Sequence, residues 1–146
     1  MTAFEPQDAN FATKVRASFA RQGLMTTLGA RLISVRPGEV EIELDRREDL
    51  TQQHGFVHGA AVAAIVDTAC GYAAISLFAE NFEVVTVEFK INFVAPALGE
   101  KIIARGRVKK AGKTLTVCEG DAFAIRDGAE KLIATMQATM MAVESN

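Results

Sequence analysis

In the stretch "QQHGFVHGAAVAAIVDTACGYAAISLF", Gln52 to Phe78, one carboxylate, Asp67, stands in the middle of a run that is almost all small or apolar from Gly59 onward. An unpartnered carboxylate in a dry core is costly and shifts its pKa rather than stay charged. Asp67 is therefore either a structural acceptor tied to a neighbouring loop or a group facing a cleft, where it can act as a base or a nucleophile. On a helix its neighbours three and four residues away are Ala63, Ala64, Cys70 and Gly71, all small. Small neighbours leave a slot for a slender ligand, although tight helix packing gives the same pattern.

Just before the run, Gly55 and Gly59 bracket His58. A helix start there offers free N–H groups and a partial positive charge, and a glycine lets a ligand approach the backbone. That is the make-up of an oxyanion hole. Gly59 and Asp67 are eight residues apart, about 12 Å at the helical rise. One carbonyl cannot touch both groups of one chain, so cooperation between them requires a second subunit and points to a symmetric dimer with composite sites. His54, His58 and Asp67 have no established zinc spacing, and no metal is expected. Cys70 has no visible basic partner that would make it a nucleophile.

These groups need elements to hold them. Phe11, Val15 and Phe19 recur every fourth residue in 8–22, which predicts a helix with Asp8 or Asn10 as its cap and Gly23 as its stop; 1–27 read as a helical extension. Strands are predicted over 30–36 and 39–45 around a Pro37-Gly38 turn. Val40, Ile42 and Leu44 alternate there with Glu39, Glu41 and Glu43. A polar loop, 46–57, leads to a long buried helix over 59–78, alanine-rich and too long for a strand. Four strands follow, over 83–94, 100–111, 113–126 and 129–143, with a hairpin signal at Asp127-Gly128. Val85, Val87, Phe89, Ile91 and Phe93 share one face of the first, which is also the candidate for pairing across a dimer. In 113–126, Glu119 and Asp121 share parity with Leu115, Val117 and Phe123, which a bulge near Gly120 would explain. Short connections favour antiparallel neighbours among the last four strands. The fold expected is α+β, one antiparallel sheet wrapped around one long central helix, with an N-terminal helix.

The 146 residues, 49% hydrophobic, fit one domain over 1–146 with a substantial core. A net charge of -2 does not suggest a nucleic-acid binder. Two distant cysteines, Cys70 and Cys118, form no disulfide framework and suggest a reducing cytosol, hence a cytoplasmic protein. The opening "MTAFEPQDANF" has neither the basic nor the apolar region of a signal peptide. A membrane span over 59–78 is disfavoured, since an Asp at its centre costs about 2.5–3.5 kcal/mol.

With these residues in view, the chain resembles the hotdog-fold acyl-CoA thioesterases of the PaaI-like and 4-hydroxybenzoyl-CoA thioesterase branches. The likeness covers 28–143 and rests on "QQHGFVHGAAVAAIVD" and "VTVEFKINFVAPALGEKIIARGRVKKAGKTL". The family pattern is Asn or Gln, five residues, His-Gly-Gly, then Asp or Glu nine after the His. Here it reads Gln52, His58, Gly59 and Asp67 with spacings kept, and Thr86 matches a later Ser or Thr. Ala60 replaces the second glycine, a change a helical backbone accepts.

The resemblance implies hydrolysis of an acyl-CoA thioester without a cofactor. Asp67 would be the base or nucleophile. The Gly59 N–H of the other subunit would polarise the carbonyl, Gln52 or His58 would help position it, and Thr86 would hold water. A homodimer, in a dimer of dimers, is implied too. Aromatic, medium-chain and long-chain acyl groups all remain open. The alternatives are a hotdog hydratase or dehydratase and a non-catalytic acyl-CoA binder. Lys101, Arg105, Arg107, Lys109, Lys110 and Lys113 form an acid-free run suited to the phosphates of CoA, with Arg105, Lys109, Lys110 and Lys113 as the chosen contacts. The plainer reading of that run is a solvated strand edge.

Overall fold

The computed structural model describes residues 3–146; Met1 and Thr2 of the extension lie outside the described residues. Two N-terminal helices, α1 (Phe11–Ala20) and α2 (Gly23–Leu28), precede strands β1 (Arg31–Arg36) and β2 (Glu39–Asp45). The long helix α3 (Gly59–Ile75) follows, then β3 (Phe82–Phe93), β4 (Lys101–Lys110), β5 (Leu115–Arg126) and β6 (Ala129–Glu144). The six strands form one antiparallel sheet in the order β1-β2-β4-β5-β6-β3. The sheet wraps α3, as expected.

The β2 alternation holds, with Val40, Ile42 and Leu44 buried against α3. Turns form where predicted: Gly38 takes φ +76°, and Asp127 and Gly128 take +52° and +79°, the paired positive angles of a tight hairpin. Gly23 does not end helical structure; after a break at Gln22 it begins α2. Asn10 is the cap residue of α1 but makes no side-chain cap bond; its own N–H donates to Asp8 Oδ1 at 2.8 Å. The long helix ends at Ile75, with Ser76 Oγ donating to Ala73 O and accepting from the Gly38 N–H.

Three expectations are corrected. β5 carries no bulge at Gly120: Gly106 and Gly120 are register partners, and Thr116, Cys118, Gly120, Ala122 and Ala124 all face α3. The buried face of β5 is its small-residue face, and Leu115, Val117 and Phe123 lie on the opposite one with Glu119 and Asp121. The reason is close packing. A Cβ on Gly106 would lie 2.4 Å from the Ala69 carbonyl carbon, and one on Gly120 2.5 Å from a Val66 methyl. The helix backbone rests almost directly on these two strands.

Secondly, β3 does not neighbour β4. It crosses to the far edge and pairs with β6, while β4 lies between β2 and β5. The basic run is thus on an inner strand, not a strand edge. Thirdly, the apolar residues of β3 do not share one face. Thr86 pairs with Met140 and Glu88 with Thr139, so Val87 is an unpaired bulge residue. The slip puts Val84 and Thr86 on the α3 side together with Phe89, Ile91 and Phe93, and turns Val85 outward.

Candidate active site

The loop 46–57 is held tightly. His58 N–H donates to Leu50 O at 2.8 Å, Val57 N–H to Ala97 O at 3.2 Å and Gln52 N–H to Phe56 O at 2.9 Å. Thr51 and Val57 form an isolated antiparallel bridge. Arg47 fastens the loop to the carbonyls of Thr27 and Leu28, each at 3.1 Å. His58 is the N-cap of α3, its Nδ1 accepting the Ala60 N–H at 2.9 Å. The Gly59 N–H, first of the helix, has no intrahelical acceptor and no hydrogen-bond partner among the described residues.

Gly59 lines a cavity of about 260 Å³ together with Gln52, Phe56, Val62, Phe93 and Pro96 among others. The Phe93 ring sits over Gly59; a Cβ there would lie 3.0 Å from its tip. Ala60 is exposed and is not a wall of this cavity. The Gln52 side chain is placed by the His54 N–H, which donates to its Oε1.

Asp67 belongs to a different cavity, of about 330 Å³. Thr86 Oγ1 donates to Asp67 Oδ1 at 2.8 Å, a contact that the Val87 bulge makes by turning Thr86 toward the helix. Thr86 also lies 3.4 Å from Met140 Sδ. Burial pushes the Asp67 carboxyl above the usual carboxylate range, and the Thr86 bond pulls partly against it. No second hydrogen bond reaches the Asp67 carboxylate among the described residues. A half-buried carboxylate facing a cavity with three lone-pair sites left open has room to accept hydrogen bonds from water or a ligand.

The structure thus brings Gln52 together with Gly59, and Asp67 together with Thr86, and keeps the two pairs in separate cavities. His58 joins neither and caps the helix. Within one chain neither histidine is a hydrogen-bond partner of Asp67, and among the described residues no three His, Cys, Asp or Glu side chains gather to hold a metal. Of the four small neighbours expected around Asp67, Ala64 and Gly71 line its cavity. Cys70 faces the sheet, where Cys118 Sγ donates to its carbonyl at 3.5 Å. Burial raises the Cys70 thiol well above its ordinary range and the Cys118 thiol to about 12.

The sequence reading missed the far wall of the Asp67 cavity: Ser18 of α1, Gln22 at the break between the two helices, Leu24 of α2, and Thr68, Tyr72 and Glu83. A signal was present. Ala64, Thr68, Gly71 and Ile75 form a helical stripe beside Asp67, and Ser18 and Gln22 lie four apart next to the apolar stripe of α1.

The basic run is mostly committed elsewhere. Arg105 pairs with Glu41 and, through two nitrogens, with Glu130. Lys101 pairs with Glu43, Lys109 with Glu119, and Arg107 with Glu119 and Asp121. The run lacks acids in sequence, but β2, β5 and β6 supply them. Lys110 and Lys113, beside the β4–β5 turn, form no ion pair among the described residues.

Residues 54–130 match the family model of the thioesterase superfamily. A thioesterase family protein from Silicibacter pomeroyi, of solved structure, is 53% identical with a TM-score of 0.91 over 92% of this chain and 99% of that one. Acyl-coenzyme A thioesterase 13 of Homo sapiens is 34% identical over 91 residues, 62% of this chain and 64% of that protein's length. The E. coli PaaI protein from the phenylacetic acid degradation operon superposes with a TM-score of 0.83 over 96% of this chain and 98% of that one; at 18% identity the likeness concerns the hotdog fold alone. No helix among the described residues is long and apolar enough to cross a membrane.

Proposed function

The chain belongs to the thioesterase superfamily, and from that premise we propose that it hydrolyses an acyl-CoA to the free acid and CoA in a site shared by two subunits. The observation that carries the reading is the Asp67 carboxylate, held among the described residues by Thr86 alone in a cavity of its own, while Gly59, whose N–H has no partner among those residues, lines another. In the proposed dimer, Gly59 of one protomer faces Asp67 of its partner. The Gly59 N–H donates to the thioester oxygen and stabilises the negative charge that develops there. Gln52 orients the acyl-CoA beside it, and His58 keeps the Ala60 N–H occupied so that Gly59 is the donor presented.

Asp67 removes a proton from water as the water oxygen bonds to the thioester carbon. The tetrahedral intermediate then collapses, the C–S bond breaks, and the CoA thiolate leaves and is protonated. In the alternative route Asp67 attacks the carbon itself and water cleaves the resulting anhydride. Both routes need the carboxylate, and neither needs a cofactor or metal. Thr86 holds Asp67 and, in the first route, the attacking water. For the nucleotide phosphates the unpaired Lys110 and Lys113 are better placed than Arg105 and Lys109, which would have to leave their carboxylates. Two buried reduced thiols suit a cytoplasmic setting.

The test is release of free thiol across a panel of aromatic and aliphatic acyl-CoAs. Hydrolysis of at least one of them, lowered about a hundredfold or more by Asp67→Asn, is expected. Turnover that survives the substitution would overturn the reading, and binding without any turnover would favour a non-catalytic acyl-CoA protein.

A further inference from the structure

We infer that Met140 is a positioning residue of the reaction: its sulfur is a second acceptor for the Thr86 hydroxyl, and lets that hydroxyl turn away from Asp67 when the carboxylate takes up a proton. The inference rests on the thioesterase reading above, in the route where Asp67 takes the proton of water, and adds a residue that acts on Asp67 through Thr86.

Thr86 and Met140 are register partners on β3 and β6, and Met140 is fully buried. Thr86 Oγ1 lies 2.8 Å from Asp67 Oδ1 and 3.4 Å from Met140 Sδ, with no other side-chain partner among the described residues. A hydroxyl has one proton, and turns it about the C–O bond without moving a heavy atom. With Asp67 ionised, that proton lies on the carboxylate, much the stronger acceptor. With a proton on Asp67 Oδ1 the direction reverses: the acid donates to Thr86 Oγ1, and the Thr86 proton turns to the sulfur. Were the sulfur replaced by carbon, the turned proton would be buried with nothing to accept it. A proton on Oδ2 instead leaves Thr86 donating to a neutral oxygen, so the sulfur adds an arrangement open only to the protonated acid. Met140 thus favours the neutral acid, while the Thr86 bond by itself favours the charge. A general base has to take a proton and then give it up. Here both states find hydrogen bonds with the heavy atoms in place. The proton taken from water is the one the leaving thiolate receives, and the Thr86 proton is only turned, never lost.

The other groups around Asp67 do not supply this effect. Glu83 of β3 and Tyr72 of α3 line the same cavity, and no Lys, Arg or His lines it among the described residues. Tyr72 Oη accepts from Gln22 Nε2 at 2.9 Å and lies 3.0 Å from Ser18 Oγ. Lys14 of α1 is committed to the carbonyls of Glu80, at 2.9 Å, and of Phe82. Burial keeps the thiols of Cys70 on α3 and Cys118 on β5 protonated through the acid range. On β6 the buried Ala134, Met136, Ala138 and Met140 carry no ionisable group. What changes partner as Asp67 titrates is the one hydroxyl between it and the sulfur.

Carbon-13 NMR of the protein labelled at its aspartate carboxyls reads the titration of Asp67 directly, with Asp67→Asn identifying its signal. Met140→Leu, a swap of similar volume that cores tolerate, exchanges the sulfur for carbon. Asp67 should then titrate lower than in the unaltered protein, by about 0.4 pH unit or more, the low end for one net hydrogen bond. The acid limb of kcat/KM should fall with it. Added to Thr86→Val, Met140→Leu should move neither, because the hydroxyl that couples sulfur to carboxylate is gone. A packing role alone predicts the opposite sign: a loosened Thr86 holds the charge less well, and the titration rises. A titration unmoved or raised by Met140→Leu, or lowered equally with and without the Thr86 hydroxyl, would overturn the inference. Should Met140→Leu not fold, norleucine in place of the methionines puts a methylene where the sulfur was, with the same expected and contrary results. Glu83→Gln should leave the effect of Met140→Leu intact; its disappearance there would also count against the inference. Should no acyl-CoA release thiol, the thioesterase reading fails by itself, and the carbon-13 titration still decides for or against Met140.

Discussion

Burial and a single hydroxyl act in opposite directions on Asp67, and burial wins, so its carboxyl titrates above the usual range. The folded chain therefore holds this proton more tightly than the unfolded chain does. The stability Asp67 contributes is present below the unfolded value of about 3.9 and is lost as pH rises through the higher folded value. Asp67→Asn removes that penalty and keeps an oxygen for the Thr86 hydroxyl. Calorimetry at pH 7 should find it melting at or above the unaltered protein, with the gap narrowing as pH falls below about 4. Activity follows the same titration. The acid limb of kcat/KM should lie above the ordinary carboxylate range and move higher in Thr86→Val, which loses the one bond favouring the charged form. An acid limb unmoved by Thr86→Val would detach Thr86 from the chemistry. At this scale the sequence was most legible: an isolated carboxylate in an alanine-rich helix and a glycine at that helix's start are local facts. Cys70 was not, because spacing along a helix gives two flanks and only the sheet decides which one it covers.

Between elements, the decisive contacts are those of α3 with β4 and β5, where Gly106 and Gly120 stand in place of side chains. Gly106→Ala would drive a Cβ to within 2.5 Å of the helix backbone at Ala69 and Cys70, which has no rotamer to yield with. It should cost about 1–3 kcal/mol or more in denaturant titration. Gly23→Ala, with nothing within 4 Å of its added Cβ, should leave stability level or slightly raised. Similar losses from both would refute the packing argument. Element types and most boundaries were readable from periodicity and turn residues. Two features were not, for different reasons; in β3 a bulge shifts parity without changing composition. The Val87 bulge turned Thr86 from the polar side of β3 to Asp67. In β5, by contrast, parity was regular but the apolar residues lay on the face away from the helix, because small residues had to occupy the face beneath it.

For the whole molecule, β3 is an unpaired sheet edge carrying Val85, Val87, Phe89 and Phe93, each at least 41% exposed. An apolar edge of this kind invites a second strand. A charge on it, Val85→Lys, should shift light scattering from dimer toward monomer and lower activity with it; a fully active monomer would sink the assembly. The sheet order was the least legible feature, since β3 lies at the far edge with three strands later in the chain, β4, β5 and β6, between it and β2. The claim that unites the three scales is that Asp67 of one protomer works with Gly59 of another. Gly59→Pro removes that N–H and adds a ring whose Cβ stands 3.0 Å from the tip of Phe93; the backbone accepts it, since proline suits the first position of a helix and His58, at φ -60° and ψ 136°, already has the conformation a residue before proline needs. Asp67→Asn and Gly59→Pro should each be nearly inactive, the latter by about a hundredfold or more. Unfolded and refolded together in equal amounts, they form mixed dimers in which one site is intact and the other doubly altered. Thiol release by that mixture should recover to about a quarter of the unaltered rate, as random pairing of symmetric dimers dictates; mixed dimers that form and stay inactive would contradict the shared site.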